Sequence, residues 1–213
     1  MKQALLALTL CAAALAQTPN LLDPSTMKAQ APATFNVKLT TTKGDIEIKV
    51  TRAWAPNGAD HFYNLVRAGF YTDAAFFRVI PDFMAQVGIS ARPEVSKVWA
   101  NSNIQDDPVK ASNTKGMVTF AQTGSRNSRS TQFFINYGDN SRLDKPDGCQ
   151  CPQGFMPFGQ VTKGMDVAEK IYSGYGQTPD QTAITSQGKA YLDKNFPKLD
   201  RILTATIEPA AAK

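Results

Sequence analysis

Along much of the chain, hydrophobic and polar residues alternate with the period of two that lets a strand bury one face and wet the other. Val37-Lys38-Leu39-Thr40 and Ile46-Glu47-Ile48-Lys49-Val50 flank Lys43-Gly44-Asp45. This predicts a hairpin over 35–50 with Val37, Leu39, Ile46, Ile48 and Val50 inward. Two more alternating runs, over 116–122 and 131–137, bracket a polar Gly/Ser/Asn loop. In the second run Gln132, Phe134 and Asn136 share one face, and Phe133 and Ile135 take the core face. Residues 155–161 and 201–207 read as further strands, the latter closing the domain. A 3.6 period governs 56–69: Ala59, Phe62, Tyr63 and Val66 form one stripe, Pro56 suits the first turn and Gly69 the position past the end. Residues 165–172 predict a second helix, and 188–195 a short third one stopped by Pro197. The stretch 89–114 is polar and irregular, with Asp106-Asp107-Pro108 as a solvated turn rather than a metal site. Short strands outnumber helices. The expected fold is therefore mainly β: a closed antiparallel barrel with a helix over each open end and a short extra helix before the last strand.

One stretch is unusual for a barrel strand. Residues 76–86 read F-F-R-V-I-P-D-F-M-A-Q and set a single guanidinium, Arg78, in an oily run. Arginine is rarely buried without acceptors, because losing its hydration is costly. If 76–80 is a strand, Arg78 shares a face with Phe76 and Ile80; Pro81-Asp82 then turns the chain, and Met84 and Gln86 share a face of the next strand. An edge-strand arginine snorkelling to solvent explains this too, and is the commoner case. The run 131–137 again sets amides beside an aromatic ring, and a polar strand face that meets only water explains that equally well.

Composition narrows the function classes. A chain of 213 residues makes one domain with a sizeable core, and 42% hydrophobic with 19% charged residues is ordinary for a globular protein. The net charge of +5 is spread without a dense Lys/Arg tract, so nucleic acid is not an expected partner. No apolar run is long enough to span a bilayer. Residues 1–16 have the layout of a signal peptide: Lys2, an apolar middle, and the small-x-small end Ala14-Leu15-Ala16. The expected organisation is that leader, a flexible segment over 17–34, a domain over 35–208 and a tail over 209–213, with the mature chain exported to the periplasm or secreted. Export would leave Cys149 and Cys151 as a labile loop disulfide, two free thiols or a chance pair. His61, the sole histidine, reads as solvated on the first helix. With no second histidine and no second cysteine pair, neither a zinc site nor a Ser-His-Asp site away from that helix is expected, and no metal or cofactor is called for.

Residues 76–86 resemble the signature segment of the cyclophilin-type peptidyl-prolyl isomerases, where the same arginine, phenylalanine, methionine and glutamine recur at this spacing. Ala121-Gln122, the T-Q-F-F-I-N run and F-G-Q-V-T-K-G-M over 158–165 are further anchors, and the likeness runs from about Phe35 to Ile207. The resemblance implies an eight-stranded antiparallel barrel with two capping helices. It also implies a cofactor-free enzyme, expected as a monomer, that speeds rotation about X-Pro bonds in proline-containing polypeptides. On that footing Arg78 is the catalytic arginine, Phe83, Met84, Phe134 and Leu143 line the proline pocket, and Gln86, Ala121, Gln122 and Gln132 hold the substrate backbone. The chain departs from the family at the pocket. Phe155 stands where many relatives carry a histidine, Gln122 where asparagine is common, and Arg142 where many carry a tryptophan. That tryptophan supports cyclosporin binding in relatives, so weak inhibition by the drug is expected. Two other classes are compatible with the residues: a proline-peptide-binding chaperone module with little turnover, and a thiol redox protein using Cys149 and Cys151.

Overall fold

The computed structural model describes residues 20–145 and 154–209. The leader, Cys149 and Cys151, and the tail from 210 onward lie outside the described residues. The predicted hairpin forms from β1 (Thr34–Thr41) and β2 (Gly44–Thr51), with Val37 opposite Ile48 and Leu39 opposite Ile46, all fully buried. The predicted first helix is α1 (Pro56–Arg67), whose Ala59, Phe62 and Val66 face the core. There follow β3 (Ala74–Ala75), β4 (Arg78–Ile80), β5 (Met84–Val87), α2 (Pro93–Trp99), β6 (Met117–Phe120) and β7 (Phe133–Asn136). The chain ends with β8 (Pro157–Lys163), α3 (Met165–Ala168), α4 (Gln181–Asn195) and β9 (Arg201–Glu208). Inside the curled sheet, Phe62 packs its ring against those of Phe133 at 5.4 Å and Phe158 at 4.8 Å, with Phe120 beside Phe158 at 4.8 Å. Burying each such ring contributes roughly 1.5–3 kcal/mol.

Hydrogen bonding orders the strands β3-β9-β1-β2-β8-β6-β7-β5-β4, with antiparallel pairing throughout. This corrects the expectation of a closed barrel of eight strands: the sheet has nine, and its end strands, β3 and β4, do not pair with each other. These two strands are consecutive in the chain and separated only by Phe76 and Phe77. The first pairs with β9 and the second with β5. Between them the alternation breaks. Phe76 and Val79 both enter the main core, while Phe77 joins a second cluster with Ile184, Leu192 and Leu199. Phe76 therefore does not share the face of Arg78 as a regular strand over 76–80 would require.

Other expectations are also revised. The stretch 89–114 contains α2, which buries Val95 and Trp99; seven residues are too few to display a helical stripe in sequence. Gly188 breaks a helix rather than opening one: α4 starts at Gln181, with the Asp180 side chain accepting from the Ala183 N–H. At Gly188 φ is +59°, and a Cβ there would lie 2.3 Å from the Ala91 carbonyl oxygen, so the close approach of α4 to the residues before α2 requires glycine. The third helix α3 stops at Ala168, short of Tyr172. Asp107 is not solvated. Its carboxylate accepts from the N–H groups of Asn57 at 3.0 Å and Gly58 at 2.9 Å and pairs with the fully buried Arg129 at 3.1 Å, which neutralises the charge at the head of α1. His61 packs against Trp99 and Phe120, its Nε2 is buried with no partner among the described residues, and burial lowers its pKa to about 4. Residues 20–33 lie against the helices: Trp99 Nε1 donates to the Leu21 carbonyl at 2.8 Å and Ala31 N–H to Asp60 Oδ1 at 2.9 Å. Among the described residues, no helix is long and apolar enough to cross a membrane.

Candidate active site

The β4–β5 turn fixes the first wall of the site. Asp82 adopts φ +60°, and Phe83 N–H bonds back to the Ile80 carbonyl, so the chain reverses and sets Arg78 opposite Gln86 in the ladder. The next strand pair, β5 with β7, sets Gln86 opposite Phe134. Gly88, at φ +117°, lets β5 lie close to Thr131 and Gln132; a Cβ there would meet the Thr131 carbonyl oxygen at 2.5 Å. Side chains from three adjacent strand segments thereby converge on one surface.

A cavity of about 650 Å³ opens on that surface. It is lined by every residue singled out in the sequence: Arg78, Phe83, Met84, Gln86, Ala121, Gln122, Gln132, Phe134, Leu143 and Phe155. Phe134 and Phe155 meet edge to face at 6.1 Å, while Phe83 lies beneath the Arg78 guanidinium at 5.9 Å. Asn136, predicted on the same strand face, is fully buried instead and donates to the Met117 carbonyl.

A chain of amide bonds sets the polarity. Arg78 Nη1 donates to Gln86 Oε1 at 3.2 Å, and Gln86 Nε2 donates to Gln132 Oε1 at 2.8 Å. The Gln132 NH₂ group finds no acceptor among the described residues and can donate to a ligand carbonyl. Arg78 Nε donates to Gln177 Oε1 at 3.3 Å. A guanidinium has five N–H donors; among the described residues two are used and three remain. Partial burial lowers the Arg78 pKa from its ordinary value, yet an arginine stays charged. Ala121 N–H bonds the Gln132 carbonyl, and no donor among the described residues bonds the Ala121 carbonyl, an acceptor at the cavity edge. Gln122 is less free: its Nε2 donates to the Gly154 carbonyl at 2.8 Å.

Behind the cavity lies a buried amide network that no sequence pattern revealed. Asn140 Nδ2 donates to the Phe83 carbonyl and to Asn136 Oδ1, both at 2.8 Å. Asn113 Nδ2 donates to Asp144 Oδ1 at 2.7 Å and to the Phe155 carbonyl at 2.9 Å, and Asn113 Oδ1 accepts from Thr119. Phe155 N–H donates to the Leu143 carbonyl at 2.8 Å. Phe83, Leu143 and Phe155 are thus held by their backbones, and their rings and methyls need no polar partner of their own.

A family model for the cyclophilin type peptidyl-prolyl cis-trans isomerase matches residues 36–189. The chain belongs to that family. Among curated relatives, the peptidyl-prolyl cis-trans isomerase A of Dickeya dadantii is 36% identical over 66% of this chain and 73% of its own length. A peptidyl-prolyl cis-trans isomerase of Acinetobacter baylyi is also 36% identical, over 68% of this chain and 76% of its own. A solved cyclophilin of Cryptosporidium parvum shares the fold at TM-score 0.59 and 18% identity, covering 83% of this chain and 99% of that one. Another, from Hirschia baltica, gives TM-score 0.59 at 19% identity over 86% and 78%.

This cyclophilin's cavity also draws on residues that the sequence reading left aside. Ala100 and Asn103 follow α2, Gln181 opens α4, and Thr123, Ser125, Arg126, Ser128 and Ser130 come from the loop after β6. The Gly/Ser/Asn composition of that loop was legible, but its return over the cavity was not. Arg142 stands over the Phe83 ring at 4.9 Å.

Proposed function

We propose that the protein accelerates cis–trans rotation of X-Pro bonds in exported polypeptides through a water-poor pocket and the Arg78 donor. The barrier, roughly 18–20 kcal/mol, is the amide resonance lost on twisting, and without help exchange takes on the order of tens to hundreds of seconds. At the twisted state the nitrogen becomes pyramidal and regains its lone pair, while the carbonyl loses dipole. An apolar slot disfavours the polar planar amide relative to that state. The remaining N–H groups of Arg78, aimed at the proline nitrogen and carbonyl, favour it further. Phe83, Met84, Phe134, Leu143 and Phe155 hold the ring. Gln86 orients Arg78, and Ala121, Gln122 and Gln132 hold the flanking backbone so that one side of the bond turns against the other. Proton transfer, metal and cofactor have no part in the reaction.

The observation that carries this reading is the convergence of a half-buried guanidinium with Phe83 and Phe134 on one cavity. In the same reading residues 1–16 direct export and are removed, and the mature chain works as a monomer without nucleic acid. A binding or chaperone module with weak turnover is the second reading, favoured by the bond from Gln122 to Gly154, which takes up a donor meant for substrate.

The deciding experiment follows isomerisation of a short X-Pro peptide with the wild type and Arg78→Ala. The wild type should accelerate exchange, and the variant should lose about a hundred- to a thousandfold, the range for removing one transition-state donor. Peptide binding without acceleration by the wild type would sink the enzyme reading and leave the module. A Cys149→Ser/Cys151→Ser double variant should keep full activity, and its loss would favour the thiol reading.

A further inference from the structure

Phe83 carries two guanidiniums against one ring: Arg78 at 5.9 Å and Arg142 at 4.9 Å from the centroid. The first lines the cavity. The second is exposed and stands on the short helical turn Ser141–Leu143, immediately before the cavity residue Leu143. That turn is not loose. Leu143 N–H bonds the Asn140 carbonyl at 2.8 Å, and the Asn140 side chain is itself tied to the Phe83 carbonyl. The arginine head is thus presented at a defined place, beside the ring on which a bound proline would pack.

The charge around the slot is one-sided. Arg78 and Arg126 line the cavity, and no aspartate or glutamate is among its described lining residues. The nearest carboxylate on the turn, Asp139, accepts from the Ser141 N–H and is held below its usual range first by Ser141 and also by the Arg142 charge, but neither it nor any other carboxylate among the described residues comes within ion-pair distance of Arg142. A neutral proline ring has no use for this field. An anionic side chain next to the proline would meet it while the ring sits on Phe83.

We propose that Arg142 is a specificity-determining residue that selects X-Pro segments bearing a carboxylate side chain on a residue flanking the proline. The inference rests on the isomerase reading of the same cavity and names its substrate class. Arginine suits this role because its fork accepts a carboxylate in two-point fashion while its flat face stays on the aromatic ring.

The test uses matched peptides that differ only by Glu or Gln, placed before the proline in one pair and after it in the other. The readout is the Glu/Gln ratio of kcat/KM within each pair, so a general loss of activity cancels. In at least one pair the wild type should favour Glu by about two- to fivefold, the size of a partly exposed ion pair, and the ratio should shrink as salt is raised. Arg142→Gln should bring the ratio to unity, Arg142→Lys should keep part of it, and Arg142→Glu should invert it. A wild-type ratio of one in both pairs overturns the proposal, and so does a ratio that Arg142→Gln leaves unchanged. If the wild type accelerates none of the peptides, the isomerase reading fails separately. The affinities of the same pairs, from fluorescence anisotropy of labelled peptides, then decide the matter: equal binding of the Glu and Gln forms disposes of the role given to Arg142.

Discussion

Gln86 accepts from Arg78 through one amide atom and donates to Gln132 through the other, at 3.2 and 2.8 Å. The arginine that faces the cavity is therefore oriented by a neutral group that leaves its charge uncompensated. A carboxylate at this position would hold Arg78 as well but would cancel the field that the proposed mechanism requires.

Gln86→Glu separates orientation from charge. At neutral pH the new carboxylate should pair with Arg78 and oppose Gln132 Oε1, lowering kcat/KM about tenfold, the size of one charge-assisted hydrogen bond. As pH falls through the carboxyl pKa, the protonated acid can again donate to Gln132, and activity should recover. The wild type, whose Arg78 stays charged throughout, should show no such rise. A flat pH profile in the variant would count against the assigned role of the field.

Asn113→Ala removes partners from Asp144, the Phe155 carbonyl and Thr119 in a site with no access to water. Stability should fall by about 1–3 kcal/mol in urea unfolding. Because the loss loosens Phe155 and the end of the Leu143 turn, KM should rise more than kcat falls. Unchanged KM in a destabilised variant would show that the network serves folding only.

The Asp107–Arg129 pair should behave as a structural unit remote from the chemistry. Arg129→Met strands a buried carboxylate and should cost about 3–5 kcal/mol. Adding Asp107→Ala should cost less than the two single losses together, even though Asp107 also caps α1. Thermodynamic cycles from denaturant unfolding read this coupling, and additive losses would contradict a shared burial.

His61 gives stability a pH dependence. Its pKa of about 4 in the fold is below the unfolded value near 6.5, held down first by burial, with the Arg129 cation adding to the effect. Above 6.5 neither state binds the proton. Between 6.5 and 4 only the unfolded chain does, so stability should fall by roughly 3 kcal/mol through that window and level off below it. His61→Phe should remove this part of the decline, leaving only the carboxylate contribution. An identical decline in both proteins, measured in urea at pH 7 and 4.5, would refute it.

Cyclosporin should inhibit weakly: the family resemblance leads one to expect a drug-supporting tryptophan at position 142, and an arginine stands there instead, over the Phe83 ring. Arg142→Trp should strengthen inhibition. A sub-micromolar inhibition constant for the wild type would be inconsistent with this account.

The residues that line the cavity were legible before the fold was. The string 76–86 and the run 131–137 carry Arg78, Phe83, Met84, Gln86, Gln132 and Phe134 at fixed short spacings, and strand alternation alone brings Met84 with Gln86 and Gln132 with Phe134 onto common faces. Periodicity likewise marked the β1–β2 hairpin, α1 and β9. It could not show that the strand feeding Arg78 is interrupted, since Phe76 and Phe77 look equally suited to either face and only packing against two separate clusters distinguishes them. Nor could it find Asp107 inside the protein, His61 between Trp99 and Phe120, or the asparagines behind Phe83. Each of these polar groups is buried because a partner or packing surface comes from elsewhere in the chain, and spacing within one segment carries no record of it. What the sequence by itself determined was the local alternation and the kinds of side chain offered to the cavity. Which amide is left facing a ligand, and which carboxylate is removed from water, was decided only when the strands were assembled, because desolvation and hydrogen-bond partners are properties of the folded whole.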